Sequence, residues 1–219
     1  CLFVKAKKFP KINVPEIFTG FSVYFSNPKS PASVATEELQ RDGSDSLTET
    51  INGKTIKYGA LGFFQVNIPV FEQAVKRISD YTANQPVIDM YGGVGTISVA
   101  IGASRTTIVE SDQANIEYAK INTNEMNAKI IHAPGEKSLK YIEQDSILIV
   151  DPPRAGLHKN VAEAVVEVQP KAVVYLSCNP VTMMRDLSVL ETYKIVDFAV
   201  YNFFPRTPHI ECLAVLELK

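Results

Sequence analysis

Tryptophan is absent from the 219 residues, and only three cysteines and three histidines occur. Cys1, Cys178 and Cys212 make no CxxC pair, and His132, His158 and His209 are scattered. Neither a disulfide framework nor a metal site is therefore expected. No apolar run approaches the ~20 residues that span a bilayer. No basic-then-apolar leader opens the chain either. These absences point to free thiols in a reducing, cytoplasmic setting. An excess of one charge sign is missing too: 22 Lys+Arg face 24 Asp+Glu, for a net charge of −2. A protein that grips a polyanion usually shows a basic excess, because neutralising phosphates releases counterions. Any basic surface must then be local, or lie on chain outside this sequence. The start at Cys1 rather than Met is what a fragment would show.

Apolar residues are plentiful, at 46% against 21% charged, as in an ordinary globular protein. From Pro86 onward, short apolar runs alternate with helical spacing. PVIDMY, TTIVES, KIIHA, ILIVD, AVVYLSC, KIVDFAVYN and ECLAVLEL each read as buried or half-buried strands. Between them, Val161, Ala164, Val165 and Val168 share one helical face, as do Met183, Leu187 and Leu190. Strand-helix alternation predicts a mainly parallel sheet covered on both faces. With its last two strands joined directly, the expected fold is α/β, a Rossmann-like seven-stranded sheet with an antiparallel edge. Pro69 and the stripe Phe71, Ala74, Val75, Ile78 predict a helix before that sheet. Upstream, Asn52-Gly53 between alternating segments signals a hairpin, and SNPKSPAS a turn-rich loop. Residues 1–62 are thus expected to form a smaller strand-rich unit, the remnant of a central domain, and residues 63–219 the larger domain. No internal repeat is visible.

Within VIDMYGGVGTISVA, a glycine turn follows a strand and precedes a helix. Gly92, Gly93 and Gly95 permit conformations and close approaches that a Cβ blocks. About 20 residues on, TTIVES brings Glu110 to the tip of the second strand, where a carboxylate can accept from both hydroxyls of a ribose. A dinucleotide fingerprint would end in Gly or Ala, yet Ser98 stands there. S-adenosylmethionine, which has no phosphate, tolerates that change. An unliganded α/β turn is the bland alternative.

Two more strand ends carry reactive groups. ILIVD ends at Asp151, followed by Pro152 and Pro153, which fix an extended exit into the crevice where open α/β sheets bind ligands. AVVYLSC ends at Cys178 before Asn179-Pro180, a favoured N-cap and first helical residue. A thiol just ahead of a helix N-terminus is expected to have a lowered pKa and to face the cleft, although a buried core cysteine is the commoner case. A thiolate beside a methyl donor suggests one chemistry. Carbon 5 of a pyrimidine becomes nucleophilic once a thiolate has added at carbon 6, and a base must then remove the carbon 5 proton. Glu211, at the start of the last strand, is the candidate base.

FFQVN (63–67), DMYGGVGT (89–96), DPPRAG (151–156), SCNP (177–180) and FPRTPHIEC (204–212) occur in the order seen in RNA uracil-5 methyltransferases. The chain resembles that family from about Phe63 to Lys219 and less clearly upstream. The resemblance implies S-adenosyl-L-methionine as cofactor, Cys178 as nucleophile and Glu211 as base. It also implies cofactor contacts at Gln65, Tyr91, Thr96, Glu110 and Asp151 beside the glycine turn; some members have Asn where Thr96 stands. An N-terminal RNA-binding β-barrel, usual in the family, is absent here, which accounts for the neutral charge. So is the cysteine set that holds an iron-sulfur cluster in some members, and no cluster is expected. The implied partner is an RNA whose target uridine is flipped into the cleft, with ribosomal RNA favoured over transfer RNA. Phe63, Phe64, Phe203 and Phe204 could stack on that base, though core packing is the preferred reading. Arg154 and Arg206 could meet phosphates or be solvated. Rival readings are amino-group methylation of a base, a small-molecule methyltransferase, and a non-catalytic RNA-binding domain that retains the fold.

Overall fold

The computed structural model describes residues 1–30 and 34–219. The last three residues of SNPKSPAS lie outside them; within the described part, Ser30 N donates to Asn27 O at 2.9 Å, closing a turn. The chain forms two compact units, residues 1–48 with 58–62, and residues 49–57 with 63–219.

The smaller unit is built on β1 (Leu2–Val4), β2 (Gly20–Phe25) and β3 (Glu37–Gly43), in the order β1-β2-β3. β2 runs parallel to β1 and antiparallel to β3. β4 (Ser46–Ile51) and β5 (Lys54–Gly59) form a two-stranded ribbon. Its two-residue loop has positive φ at Asn52 (48°) and Gly53 (74°), the primed turn that Asn-Gly favours. The tip of this ribbon belongs to the larger unit, so the division is not a single cut in the chain.

The larger unit begins with α1 (Ile68–Thr82), whose buried stripe is Phe71, Ala74, Val75 and Ile78. There follow β6 (Pro86–Met90), α2 (Thr96–Ala100), β7 (Arg105–Glu110), α3 (Gln113–Asn122), β8 (Ala128–His132), β9 (Ile147–Val150), α4 (Lys159–Val168), β10 (Ala172–Ser177), α5 (Pro180–Val189), β11 (Tyr193–Tyr201) and β12 (Glu211–Leu218). The seven strands order as β11-β12-β10-β9-β6-β7-β8. Every residue of β9 and β10 is buried, as their unbroken apolar runs require of parallel strands covered on both faces. On one face Met90, Val150, Val173 and Tyr175 pack with Val161 and Val165 of α4 and Met183 of α5. No helix among the described residues is long and apolar enough to cross a membrane.

One detail departs from the expected topology. The antiparallel strand is not the edge: β12 inserts between β10 and β11 and is antiparallel to both. ECLAVLEL is buried at six successive positions, which an interior strand needs, whereas β11 exposes Ile195, Phe198 and Val200. The continuous apolar run therefore takes the inner place. Between β6 and β9 the chain changes direction across the sheet, and the crevice at such a switch point opens at the carboxyl ends of the strands.

Candidate active site

The glycine turn after β6 is held by a few contacts. Tyr91 takes φ 66°, uncommon for a bulky residue and a mark of local constraint. A Cβ on Gly92 would come within 2.7 Å of Ile108 Cγ2, so only glycine fits beneath β7. Gly95, at φ 81°, leads into α2. Glu110, at the end of β7, ties the turn down. Its Oε2 accepts from Gly93 N at 2.9 Å, and its Oε1 accepts from Ser111 N and Asp112 N, both at 2.7 Å. A cavity beside the turn is lined by Gln65, Tyr91, Gly92, Gly93, Thr96 and Asp151, together with Phe63, Phe64 and Asp89. All the cofactor-contact candidates except Gly95 and Glu110 thus meet in one place, and those two shape the turn that forms its wall.

Asp89 is a site residue the sequence reading passed over. It is completely buried in β6. Ser98 donates to Oδ2 from its backbone N (3.3 Å) and its hydroxyl (2.7 Å), while Oδ1 has no partner. Burial above all pushes its pKa up to about 6, and Glu110 adds repulsion. The signal was present: an acidic residue interrupting an apolar strand is costly unless it has a task.

Across the switch point, β9 delivers Asp151 and β10 delivers Cys178. Burial, with repulsion from Asp89, raises Asp151 to about 7. Asn179 caps α5, its Oδ1 accepting from Val181 N at 3.1 Å, and its Nδ2 donates to Arg154 O at 3.0 Å. The cap thus joins the SCNP turn to the DPPR turn. β12 pairs with β10 as far as Cys212 opposite Ser177; Cys178 follows directly on one strand and Glu211 precedes on the other, near enough for the carboxyl to act on the thiol. Glu211 is 4% exposed. Burial, and secondarily Asp151, lifts its pKa to about 8.

The expected lowering of the Cys178 pKa does not hold. Partial burial raises it first, and the carboxyls of Glu211 and Asp151 add to the rise. Arg154, in hydrogen-bonding reach of the thiol, works in the opposite direction. A helix N-terminus acts over one turn and is worth a fraction of a kcal/mol to about 2, and two nearby carboxyls outweigh it. Arg154 also reaches the His209 ring, 3.3 Å from Nδ1. Arg206 is exposed in a turn at φ 65°.

The four phenylalanines divide. Phe203 is 1% exposed and packs edge-on against Phe71, as a core residue should. Phe64 and Phe204 are half-buried, and Phe204 lies edge-on to His209. Phe63 is 71% exposed at the cavity, so core packing does not describe it.

A Rossmann-like sheet with a single inserted antiparallel strand, opened at its switch point by a glycine turn and an acidic second strand, is the fold of the S-adenosylmethionine-type methyltransferases. The model of the tRNA (uracil-5-)-methyltransferase family matches residues 115–219. An uncharacterized RNA methyltransferase of Nanoarchaeum equitans is 33% identical over 97% of this chain and 50% of its own length. The tRNA (uracil(54)-C(5))-methyltransferase of Pyrococcus horikoshii is 32% identical over 89% of this chain and 48% of its own. Among solved structures, the Pyrococcus abyssi tRNA (uracil-54, C5)-methyltransferase in complex with S-adenosyl-L-homocysteine superposes with a TM-score of 0.82 at 28% identity, over 94% of this chain and 54% of that one. The chain belongs to the RNA uracil-5 methyltransferase family. It spans about half the length of the curated relatives it matches.

Proposed function

We propose that residues 63–219 bind S-adenosyl-L-methionine and transfer its methyl group to carbon 5 of a uridine in RNA, through a covalent bond between Cys178 and carbon 6. The observation that carries this reading is a half-buried thiol just past the end of β10 with a buried carboxyl at the start of β12 close enough to act on it, at the carboxyl edge of a methyltransferase sheet.

The residues present fit the cofactor. Gly92 lets the turn pack closely on Ile108 and Asp89 beside the cavity it lines. The cavity beside it contains a buried carboxylate oxygen without a partner, suited to a positively charged ligand. Glu110 Oε2 has accepted one hydrogen bond and, having two lone pairs, keeps capacity for a ribose hydroxyl. Gln65, Tyr91, Thr96 and Asp151 line the same space. When bound, the cofactor supplies an electrophilic methyl group. Every other task falls to the chain. Arg154 stabilises the thiolate of Cys178, which adds to carbon 6 and makes carbon 5 nucleophilic. Once carbon 5 carries the methyl group, Glu211 takes its proton and the bond from sulfur to carbon 6 breaks. A pKa close to the working pH suits a group that takes a proton and returns it each cycle.

The target base must leave its stack to meet Cys178, and exposed Phe63 offers a face at the mouth. The relatives named by position act on tRNA at uracil-54. That supports transfer RNA for this chain, over the ribosomal RNA favoured from sequence. The proposed setting is cytoplasmic, where the three free thiols stay reduced.

Incubating the full-length protein with methyl-labelled cofactor and unmodified tRNA, then digesting to nucleosides, should yield labelled 5-methyluridine. Label on an adenine or cytosine amino group, or on a small molecule instead of RNA, would overturn the reading.

A further inference from the structure

The cavity at the switch point contains two carboxyls and no counter-charge. β6 and β9 pair as far as Met90 and Val150, and Tyr91 and Asp151 follow directly on those two strand ends. Asp89 stands within β6, opposite Ile149 of β9. Both carboxyls line one space with Gln65, Gly92 and Thr96, and Asp89 repels the charge of Asp151. Only Ser98 of α2 donates to Asp89, at Oδ2, with Thr106 of β7 behind it, 3.1 Å from the Ser98 hydroxyl. Oδ1 is left bare. Among the charged groups of the neighbouring strands, Glu110 of β7 repels Asp89 and Glu211 of β12 lies beside Asp151. The nearest cation in sequence, Arg154, is turned to His209 and to Cys178, just past β10. Among the described residues, no lysine or arginine acts on either aspartate. Four carboxyls thus run along the edge through β7, β6, β9 and β12, and the two in the middle face the cavity.

Resting on the cofactor reading above, we propose that Asp89 and Asp151 act as one charge-sensing pair. It gives up a proton when the positively charged sulfonium of the methyl donor enters the cavity and retakes one when the donor has become a neutral thioether. On methyl transfer, the electron pair of the sulfur-methyl bond stays on sulfur and cancels its charge. The pair then faces no cation and binds a proton from solvent, which weakens its hold on the product. The methionyl amino and carboxylate groups are common to donor and product, so they cancel in the comparison.

The sign follows from the resting state. Asp89 at about 6 and Asp151 at about 7 leave the empty pair holding a proton below neutrality, shared in a coupled titration. A cation in the cavity favours the ionised form. Affinity for the donor should therefore rise with pH between about 6 and 7 and level off above, while affinity for the product has no such rise from this source. With one pKa unit equal to tenfold, the donor-to-product affinity ratio should grow by about tenfold from pH 6 to pH 8.

Titration calorimetry at pH 6.5 on the full-length protein, in two buffers of different ionisation heat, reads the protons released. S-adenosylmethionine, and an unreactive analogue with an ammonium in place of the sulfonium, should each release more protons than S-adenosylhomocysteine. The excess should vanish in Asp151→Asn and in Asp89→Asn; should the buried Asp89 variant not fold, the half-buried Asp151 variant decides alone. Glu211→Gln should keep the excess. Equal release by donor and product, or an excess that survives Asp151→Asn and disappears in Glu211→Gln, overturns the proposal. Binding of neither ligand would instead overturn the cofactor reading.

Discussion

Glu110 and Glu211 stand on opposite sides of the switch point and are treated in opposite ways. Glu110 accepts hydrogen bonds from three backbone N–H groups and is partly open to solvent. Glu211 is buried, and the groups acting on it are apolar surroundings and another carboxyl. The same contrast runs through the rest of the edge. Apart from Asp89 Oδ1, the glycine turn side is hydrogen-bonded and shaped before any ligand arrives, which lowers the ordering cost of binding. The β9-β10-β12 side keeps Asp151, Cys178 and Glu211 partly desolvated and near like charges, so that their proton affinities sit close to neutrality or above. On the proposed function, the first half mainly holds the cofactor, with Asp89 as its one proton-exchanging group, and the second carries the bond changes and proton transfer.

Replacing Cys178 by Ala should separate the halves most sharply. Methyl transfer to RNA should fall by about ten-thousand-fold or more, as for loss of a nucleophile that acts with its partners as a unit. S-adenosylmethionine binding by calorimetry should change less than twofold. Equal losses in both would mean that the halves are not separable. Glu211→Gln should slow turnover by about a hundred- to ten-thousand-fold, the usual contribution of a positioned base, with protein-RNA adduct accumulating on ordinary RNA in denaturing gels. In the wild type, single-turnover rates should climb with pH toward about 8, because Glu211 must be ionised to accept a proton and its ionised form grows as pH approaches its raised pKa. A rate that falls over that range would remove Glu211 as base. On the holding side, Glu110→Gln should weaken cofactor binding by about tenfold, the worth of one charge-assisted hydrogen bond, and leave the rate at saturating cofactor near wild type. The smallest effect is expected at the seam. Asn179→Ala removes the cap of α5 and should cost about 1 kcal/mol of stability, read as a lowered denaturant midpoint.

All seven strands of the large sheet were legible because their apolar runs are long and separated by clear turns. The order of the last two was not, since β12's inner place depends on pairing that no local pattern encodes. α3 gives no readable pattern: only Ile116 and Ala119 are buried on it, too narrow a stripe, although Asp112 caps it through Asn115 N at 3.0 Å. Cys178 could be found from its place at a capped helix start. Its proton affinity could not, because Glu211 approaches it only through the β10-β12 register. Glu211 had little support from spacing for the same reason, and Asp89 was hidden inside a strand that reads as core.

The account turns on a bond between Cys178 and carbon 6 of a uracil, and RNA carrying 5-fluorouridine at the target position tests it directly. Fluorine at carbon 5 does not leave as a proton does, so the adduct should persist. With S-adenosylmethionine and the full-length protein, a denaturation-resistant protein-RNA complex is predicted, with peptide mass spectrometry locating the nucleotide on Cys178. No such complex with the wild type, or an undiminished complex with Cys178→Ala, would contradict it.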